Sequence, residues 1–291
     1  MRILFTIPHF YQPKDNAAHH ASQRKNPQPR IQALSECITS LHQVFGKSQY
    51  SLDLRRVQAT PAHEDQACDI DVVVCTTGNH HLLDRLDIPQ NLYIHHPTKA
   101  KSLLLGFECQ AVLRDSLGQY DYYCYLEDDL IVRDPWFFQK LRWFNNKAGE
   151  QALLQPNRYE IAWDREAMKL YIDGDLRPEL TKKFQNVQQM PELKGWIMET
   201  PVLFRRTFNP HAGCYFLNRN QMIYWSRQPH FLDRDTSFIG PLESAATLGI
   251  MRTFRIYKPT TSNAGFLEVQ HSGQGFLNLI GKQVKLAKNN Q

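Results

Sequence analysis

The stretch Asp71-Val-Val-Val-Cys-Thr76 constrains the fold more than any other. A strand with one wet face alternates apolar and polar residues, whereas an uninterrupted apolar run belongs to a strand covered on both faces. Two covered faces need helices on each side of the sheet. The first half of the chain supplies them. Arg2 to Ile7 is a short β-type run stopped by Pro8, and the polar segment with Pro13, Pro27 and Pro29 reads as a long loop. Ile31, Leu34, Ile38, Leu41 and Phe45 recur three and four residues apart, which predicts a helix ended by Gly46. Asn91 to His95 is a further short strand, and Lys101 to Leu117 a helix ending at Gly118. Tyr120 to Val132 is another apolar run. Asp134 and Pro135 then open a helix bearing Phe137, Phe138, Leu141 and Phe144. Strands alternating with helices predict an α/β fold around a mostly parallel sheet.

The second half is less regular. Residues 150 to 205 carry mixed signals, with a hairpin pattern at Tyr171-Ile-Asp-Gly-Asp-Leu176. Asn209 to Trp225 reads as a loop, a strand and a helix. Pro241 to Leu248 reads as a short helix closed by Gly249, and Arg252 to Tyr257 as a strand. A chain of 291 residues with 42% hydrophobic content can bury one sizeable core, so a single domain is expected. The net charge of +5 fits an anionic substrate or a membrane surface and is too weak to imply nucleic acid. The six cysteines form no C-x-x-C pair and several lie in apolar runs, so they read as reduced core residues of a cytoplasmic protein. The first apolar run is too short for a signal peptide, and no stretch approaches bilayer-spanning length.

One segment breaks the rule for buried strands. Tyr122-Tyr-Cys-Tyr-Leu-Glu-Asp-Asp-Leu-Ile-Val132 carries three adjacent acids inside an apolar, aromatic run. Burying even one charge without a partner is costly. If the strand ends near Leu126, the acids emerge at its carboxyl end, the edge of an open α/β sheet where ligands bind. Hard cations such as Mg²⁺ and Mn²⁺ prefer carboxylate oxygens, with phosphates completing the shell. A divalent ion shared with a phosphorylated substrate is therefore the expected balancing charge. An acidic turn satisfied by water and capping is the plainer alternative.

A strand ending in such a D-x-D-like triplet, late in an N-terminal α/β half, resembles the nucleotide-sugar-dependent glycosyltransferases of GT-A type. The resemblance implies a Rossmann-like, mostly parallel sheet flanked by helices, with a smaller mixed region on the acceptor side. It implies Mn²⁺ or Mg²⁺ on Asp129, with Glu127 on the metal or nucleotide and Asp128 beside the nucleotide sugar. Three further features follow in the family's order. His211-Ala-Gly-Cys-Tyr-Phe216 resembles the glycine loop near the donor sugar, so His211, Ala212 and Gly213 are donor-binding candidates. Residues 240 to 249 resemble the helix carrying the acceptor base of inverting members, which implies that role for Glu243. Only one acid stands there, where the family has Glu-Asp. Phe266-Leu-Glu-Val-Gln-His271 ends in a late His, which implies a second metal ligand. The loops after the first two strands, with Pro8, Phe10, Tyr11 and Thr77, would hold base and ribose, and Arg114 the diphosphate. On this reading residues 1–132 bind the nucleotide sugar, 133–274 bind the acceptor and catalyse, and 275–291 form a basic tail.

The implied reaction moves a sugar from a nucleotide-diphosphate sugar to a hydroxyl of a glycan, a lipid-linked or a small acceptor. Trp163 and Trp196, within the acceptor-shaping segment 155 to 205, would stack on sugars or pack in the core. The pairs His19-His20, His80-His81 and His95-His96 read as polar loop residues, since neighbours on a strand point apart. The tail from Phe276 to Lys288 puts Leu277, Ile280 and Val284 on one helical face, suited to packing on the domain or to peripheral contact with anionic lipid. Two rival classes stay open: a metal-dependent phosphate-ester hydrolase or nucleotidyltransferase, and a noncatalytic glycan- or nucleotide-binding protein.

Overall fold

In the computed structural model, which describes residues 1–15 and 21–287, the chain is mixed α/β. Strand β1 (Arg2–Pro8) leads through a long loop to helix α1 (Gln28–Phe45). Strands β2 (Asp69–Thr77) and β3 (Ile94–Thr98), helix α2 (Leu105–Asp115) and strand β4 (Tyr122–Leu126) follow. Next come the short β5 (Leu130–Ile131), helix α3 (Phe137–Ala148), β6 (Asn157–Ile161), β7 (Cys214–Asn218) and β8 (Glu268–His271).

The main sheet has the order β7-β4-β1-β2-β3. Three pairings leave β1 to β4 parallel, and β7 closes the edge antiparallel to β4. Alternation along each strand sorts the side chains between two layers. Phe5, Val72, Val74, Cys124 and Leu126 pack under α1 and α3 with Leu34, Ile38, Leu41 and Phe138. Leu4, Val73, Cys75, Tyr123 and Tyr125 pack on the other face with Leu105, Cys109 and Leu113 of α2. The continuous apolar run around Val73 is thus explained by helices on both faces. All six cysteines are buried and unpaired, as their apolar settings predict.

A second, four-stranded sheet holds β5, β8, β6 and the strand Lys169–Tyr171 in neighbouring order. β8 runs antiparallel to β5 and parallel to β6. A third is built from Glu192–Ile197, Thr200–Arg206, Arg255–Pro259 and Ala152–Leu154. Because β7 joins the main sheet and Leu267 and Val269 join the layer under α1, the two halves of the chain share one core.

Several expected boundaries move, each for a local reason. The hairpin turns between β6 and Lys169–Tyr171, not at 171–176. There the chain leaves the strand without regular structure, and Asp173 is drawn inward to Arg158 and Lys258. The helix starting at Pro241 does not stop at Gly249. It passes through a π-helical turn, Ser244–Leu248, and continues as Gly249–Thr253, so the next strand starts only at Arg255. Gly249 is there for space: a Cβ would lie 2.7 Å from the Trp225 ring. Beyond Gly275 the described tail forms one 3₁₀ turn, Leu277–Leu279, in place of the expected amphipathic helix. Leu277 packs inside, while Val284 is exposed. Lys288 lies outside the described residues, as do His19 and His20.

The π turn widens the helix by one residue and leaves backbone groups to be satisfied elsewhere. The Ala245 carbonyl is answered by Gln110 Nε2 of α2 at 2.8 Å. The close approach that permits this depends on Gly106, where a Cβ would sit 2.5 Å from Ala245 Cβ and 2.9 Å from Tyr125 Oη. Gly106→Ala is therefore expected to cost about 1–3 kcal/mol in urea unfolding. Gly174→Ala, with nothing within 4 Å of the new Cβ, should stay within about 0.5 kcal/mol of wild type.

Candidate functional site

β4 ends at Leu126, and the acids leave it in a tight turn at the carboxyl edge of the parallel strands. The Glu127 N–H donates to Gly213 O at 2.9 Å, and Leu130 N–H donates back to Glu127 O at 3.1 Å. The turn aims the three carboxylates at different partners.

Asp128 points inward and is 5% exposed. The Arg30 guanidinium, from the first turn of α1, meets both its oxygens. His9 Nδ1 lies 2.6 Å from Oδ2. His9 Nε2 accepts the Leu82 N–H at 3.1 Å, so Nδ1 is the nitrogen that donates to Asp128. Burial alone would raise the Asp128 carboxyl, but Arg30 and His9 outweigh it and hold it below the usual carboxylate range. The expectation that a divalent cation balances the whole triplet is corrected here: the protein itself balances Asp128.

Glu127 has a weaker partner, Arg158 Nη1 at 3.9 Å. Its enclosed position pushes its carboxyl up to about 7. Arg158 and His271 oppose the rise, and the neighbouring charges of Asp129 and Glu243 add to it. Arg158 is held by Asp173 at 2.9 Å, and Asp173 also takes Lys258 Nζ at 2.8 Å. Burial would raise Asp173, but Lys258 and Arg158 bring it down to about 2. The glycine loop lies against this group. Gly213 has φ +63°, and a Cβ there would stand 2.5 Å from Glu127 Oε2. Ala212 is fully buried. His211 is buried too, with Nδ1 2.9 Å from Thr247 Oγ1. Burial, with Arg158 and Lys258 nearby, drives His211 well below its ordinary value.

Asp129 is the most exposed of the three, with its side chain 24% exposed. Arg30 Nη1 reaches its Oδ2 at 3.1 Å, while its Oδ1 is buried with no hydrogen-bond partner. The antiparallel register His271↔Leu130 brings the late histidine beside it, with Nε2 4.0 Å from Asp129 Oδ2. Ser272 N–H donates to Asp129 O at 2.8 Å. His271 Nδ1 lies 3.0 Å from Glu160 Oε1, a side chain buried from solvent. A carboxylate with one oxygen unsatisfied and an imidazole nitrogen 4.0 Å from the other oxygen offer the mixed oxygen and nitrogen donors that a hard divalent ion can take. Among the described residues no group of three or more His, Cys, Asp or Glu side chains is placed to hold a metal. Two protein ligands would leave the remaining positions to phosphate and water.

Glu243 sits in the first turn of the helix that includes the π segment, half-buried and close enough for its charge to bear on Glu127. The left-handed Ile239, at φ +58°, precedes that turn. Non-helical backbone just before the turn and a π segment just after it concentrate irregular geometry around Glu243.

The remaining candidates divide. Pro8 and Thr77 end β1 and β2 on the same edge as the acids, and the Thr77 hydroxyl is engaged with Ala100 O. Phe10 is half-buried, its ring edge-on to His80 at 5.8 Å. Tyr11 is 7% exposed, packs with Ile31 and Leu82, and bonds Arg24 O at 2.7 Å, so it offers no open ring face for a base. Arg114 lies in the last turn of α2, paired with Asp115 at 2.8 Å. That turn leads into the amino end of β4, the edge opposite the acids, which removes Arg114 from any diphosphate bound there. Trp163 and Trp196 are 84% and 61% exposed, surface residues and not core. His81 and His95 come from different pairs yet pack ring to ring at 5.0 Å, with His95 Nε2 2.8 Å from Thr76 Oγ1.

Arg30, His9, Arg158, Asp173, Lys258 and Glu160 were not singled out by the sequence. Nothing near them in the chain marks them, because each partner lies far away in sequence. No model of a known protein family matches the chain, and no curated protein sequence matches it.

Two outcomes follow from the charges. Asp128→Asn removes the charge that balances the buried Arg30 and leaves one amide oxygen where Arg30 and the fully buried His9 now share a carboxylate, and should lower unfolding free energy in urea by about 3–5 kcal/mol. Asp173, held at about 2, contributes stability that is complete above about pH 4 and lost as the pH falls toward 2. That contribution is about 2 kcal/mol. Urea titrations across this range should show the loss, and Asp173→Asn should lack it.

Proposed function

We propose that this chain is a metal-dependent glycosyltransferase of GT-A type. It transfers a sugar from a nucleotide-diphosphate sugar to a hydroxyl of a glycan, a lipid-linked or a small acceptor, with inversion. The observation that carries the reading is convergence. Glu127 and Asp129, the Gly213 loop, Glu243 and His271 lie far apart in the chain, yet they gather at the carboxyl edge of a parallel sheet. That edge is where open α/β sheets bind ligands.

Asp129 and His271 are the residues that would hold Mn²⁺ or Mg²⁺. Such an ion, when bound, offsets the charge of a departing diphosphate. The chain's own groups account for the rest. Gly213 lets backbone approach the donor sugar closely. Glu127 stands next to it, where a hydroxyl of the nucleotide or sugar can donate to its carboxylate. Glu243, in the first turn of its helix, takes the acceptor proton as the acceptor oxygen attacks the anomeric carbon. The exposed Trp163 and Trp196 offer flat faces to an acceptor sugar. Among the described residues no helix is long and apolar enough to cross a membrane, so a lipid-linked acceptor would be met at the membrane surface.

The test is release of free nucleotide from a panel of sugar nucleotides with Mn²⁺, Mg²⁺ or chelator. Metal-dependent release is expected with at least one donor. Asp129→Ala should abolish the metal dependence of donor binding. Glu243→Gln should lower kcat by about 10²–10⁴-fold with donor affinity kept, the range for loss of a general base. Neither turnover nor binding of any donor in the presence of metal would overturn the reading.

A further inference from the structure

Glu160 has no part in the chemistry above, yet it is fully buried and both its oxygens are engaged. Oε2 accepts the Leu277 N–H at 2.8 Å, and Oε1 faces His271 Nδ1 at 3.0 Å. We propose that Glu160 is a positioning residue that fixes the tautomer and orientation of His271, so that Nε2 presents its lone pair toward Asp129. The proposal rests on the reading of His271 as a metal ligand given above.

The sheet geometry makes the arrangement stiff. β6 and β8 are parallel neighbours with Gln270 opposite Tyr159, and Glu160 and His271 are the next residue along each strand. Residues two apart on a strand share a face. Arg158 and Glu160 therefore project from the same side of β6, one toward Glu127 and the other toward His271. A carboxylate has no proton of its own to give. Facing Nδ1, Glu160 selects the imidazole form with hydrogen on Nδ1, and the lone pair is left on Nε2. Nε2 is the nitrogen 4.0 Å from Asp129 Oδ2. A carboxylate accepting from the far nitrogen of a ligand histidine also raises the basicity of the near one. The Leu277 N–H holds the carboxylate in place from behind, so it cannot swing away from the ring.

Glu160→Gln distinguishes this role from simple packing. The amide keeps the shape, but its oxygen and nitrogen cannot both accept. If the oxygen takes the Leu277 N–H, the NH₂ group donates to Nδ1 and forces hydrogen onto Nε2, the wrong tautomer for a metal. The full-length chain, labelled with ¹⁵N-histidine, reports the tautomer directly, with His271→Asn assigning the signal. Metal-free wild type is expected to carry hydrogen on Nδ1 of neutral His271, and an Nε2–H form in wild type would overturn the proposal without any variant. Mn²⁺ titration by calorimetry, with thermal melts as the folding control, should show affinity weakened about 10–100-fold in Glu160→Gln. Mn²⁺ binding that is lost in Asp129→Ala but unchanged in folded Glu160→Gln refutes the positioning role alone. Mn²⁺ binding that neither Asp129→Ala nor His271→Asn alters refutes the metal site and the positioning role together. Turnover without any metal refutes the metal part of the proposed function, while the tautomer measurement still decides what Glu160 does to His271.

Discussion

The contact between Arg30 and Asp128 is the interaction on which the carboxyl edge of this sheet depends. Three carboxylates in succession at the end of a fully buried strand repel one another and lose hydration. An unpaired buried charge costs several kcal/mol, a large part of the total stability of a domain. Arg30, itself only 11% exposed at the side chain, answers Asp128 with one guanidinium nitrogen and Asp129 with another. Arg suits this place because its planar fork serves two acceptors at once. Arg158 does the same on the other side, between Asp173 and Glu127. The acids are tolerable because each lies within reach of a cation carried in from elsewhere in the fold.

Topology delivers those cations. The crossover from β1 to the parallel β2 starts α1 at the carboxyl edge, and the first turn of that helix holds Arg30 against the acids. β8 is added between β5 and β6, so one strand brings His271 to Asp129 while its neighbour brings Arg158 and Glu160. β7 pairs with β4 and carries the glycine loop to Glu127 at its entrance. Each pairing is a backbone register, so the site is set mainly by strands and helix ends. That is the more precise way to hold a constellation.

The parts of this fold legible in the sequence are those governed by short-range pattern. The apolar run at Val72–Val74 and the spacing of Ile31 to Phe45 state their elements locally, and both are there; the helix expected from Asp134-Pro135 is there too, but starts two residues later, at Phe137 with Trp136 as its N-cap. The acidic triplet was legible because three acids are unusual in an apolar run, whereas Gly213 and His271 were candidates only through the order they share with the family the chain resembles. What escaped was set at long range. His9 and Arg30 are unremarkable in a polar loop and a helix start until Asp128 arrives beside them. Asp173 looked like part of a turn because Asp-Gly-Asp favours turns, and two buried cations overrode that preference. Arg114 looked suitable by type alone, but helix direction placed it at the wrong edge. Gly249 looked like a stop, yet it accommodates the Trp225 ring.

The triplet itself is therefore not three equivalent ligands. Asp128 belongs to the fold, since its oxygens are taken and its removal would strand Arg30 and His9. Glu127 lies between the glycine loop and Arg158, where its charge is poorly offset and its carboxyl is easily protonated. Asp129 is divided: Oδ2 is shared with Arg30, while Oδ1 is buried without a partner. A buried acceptor left unsatisfied costs roughly 1–3 kcal/mol, so it needs a reason. The imidazole of His271, already held at its other nitrogen, stands 4.0 Å from Oδ2. Of the three acids, Asp129 is the one that pairs with a cation of the chain through one oxygen and keeps the other without a partner.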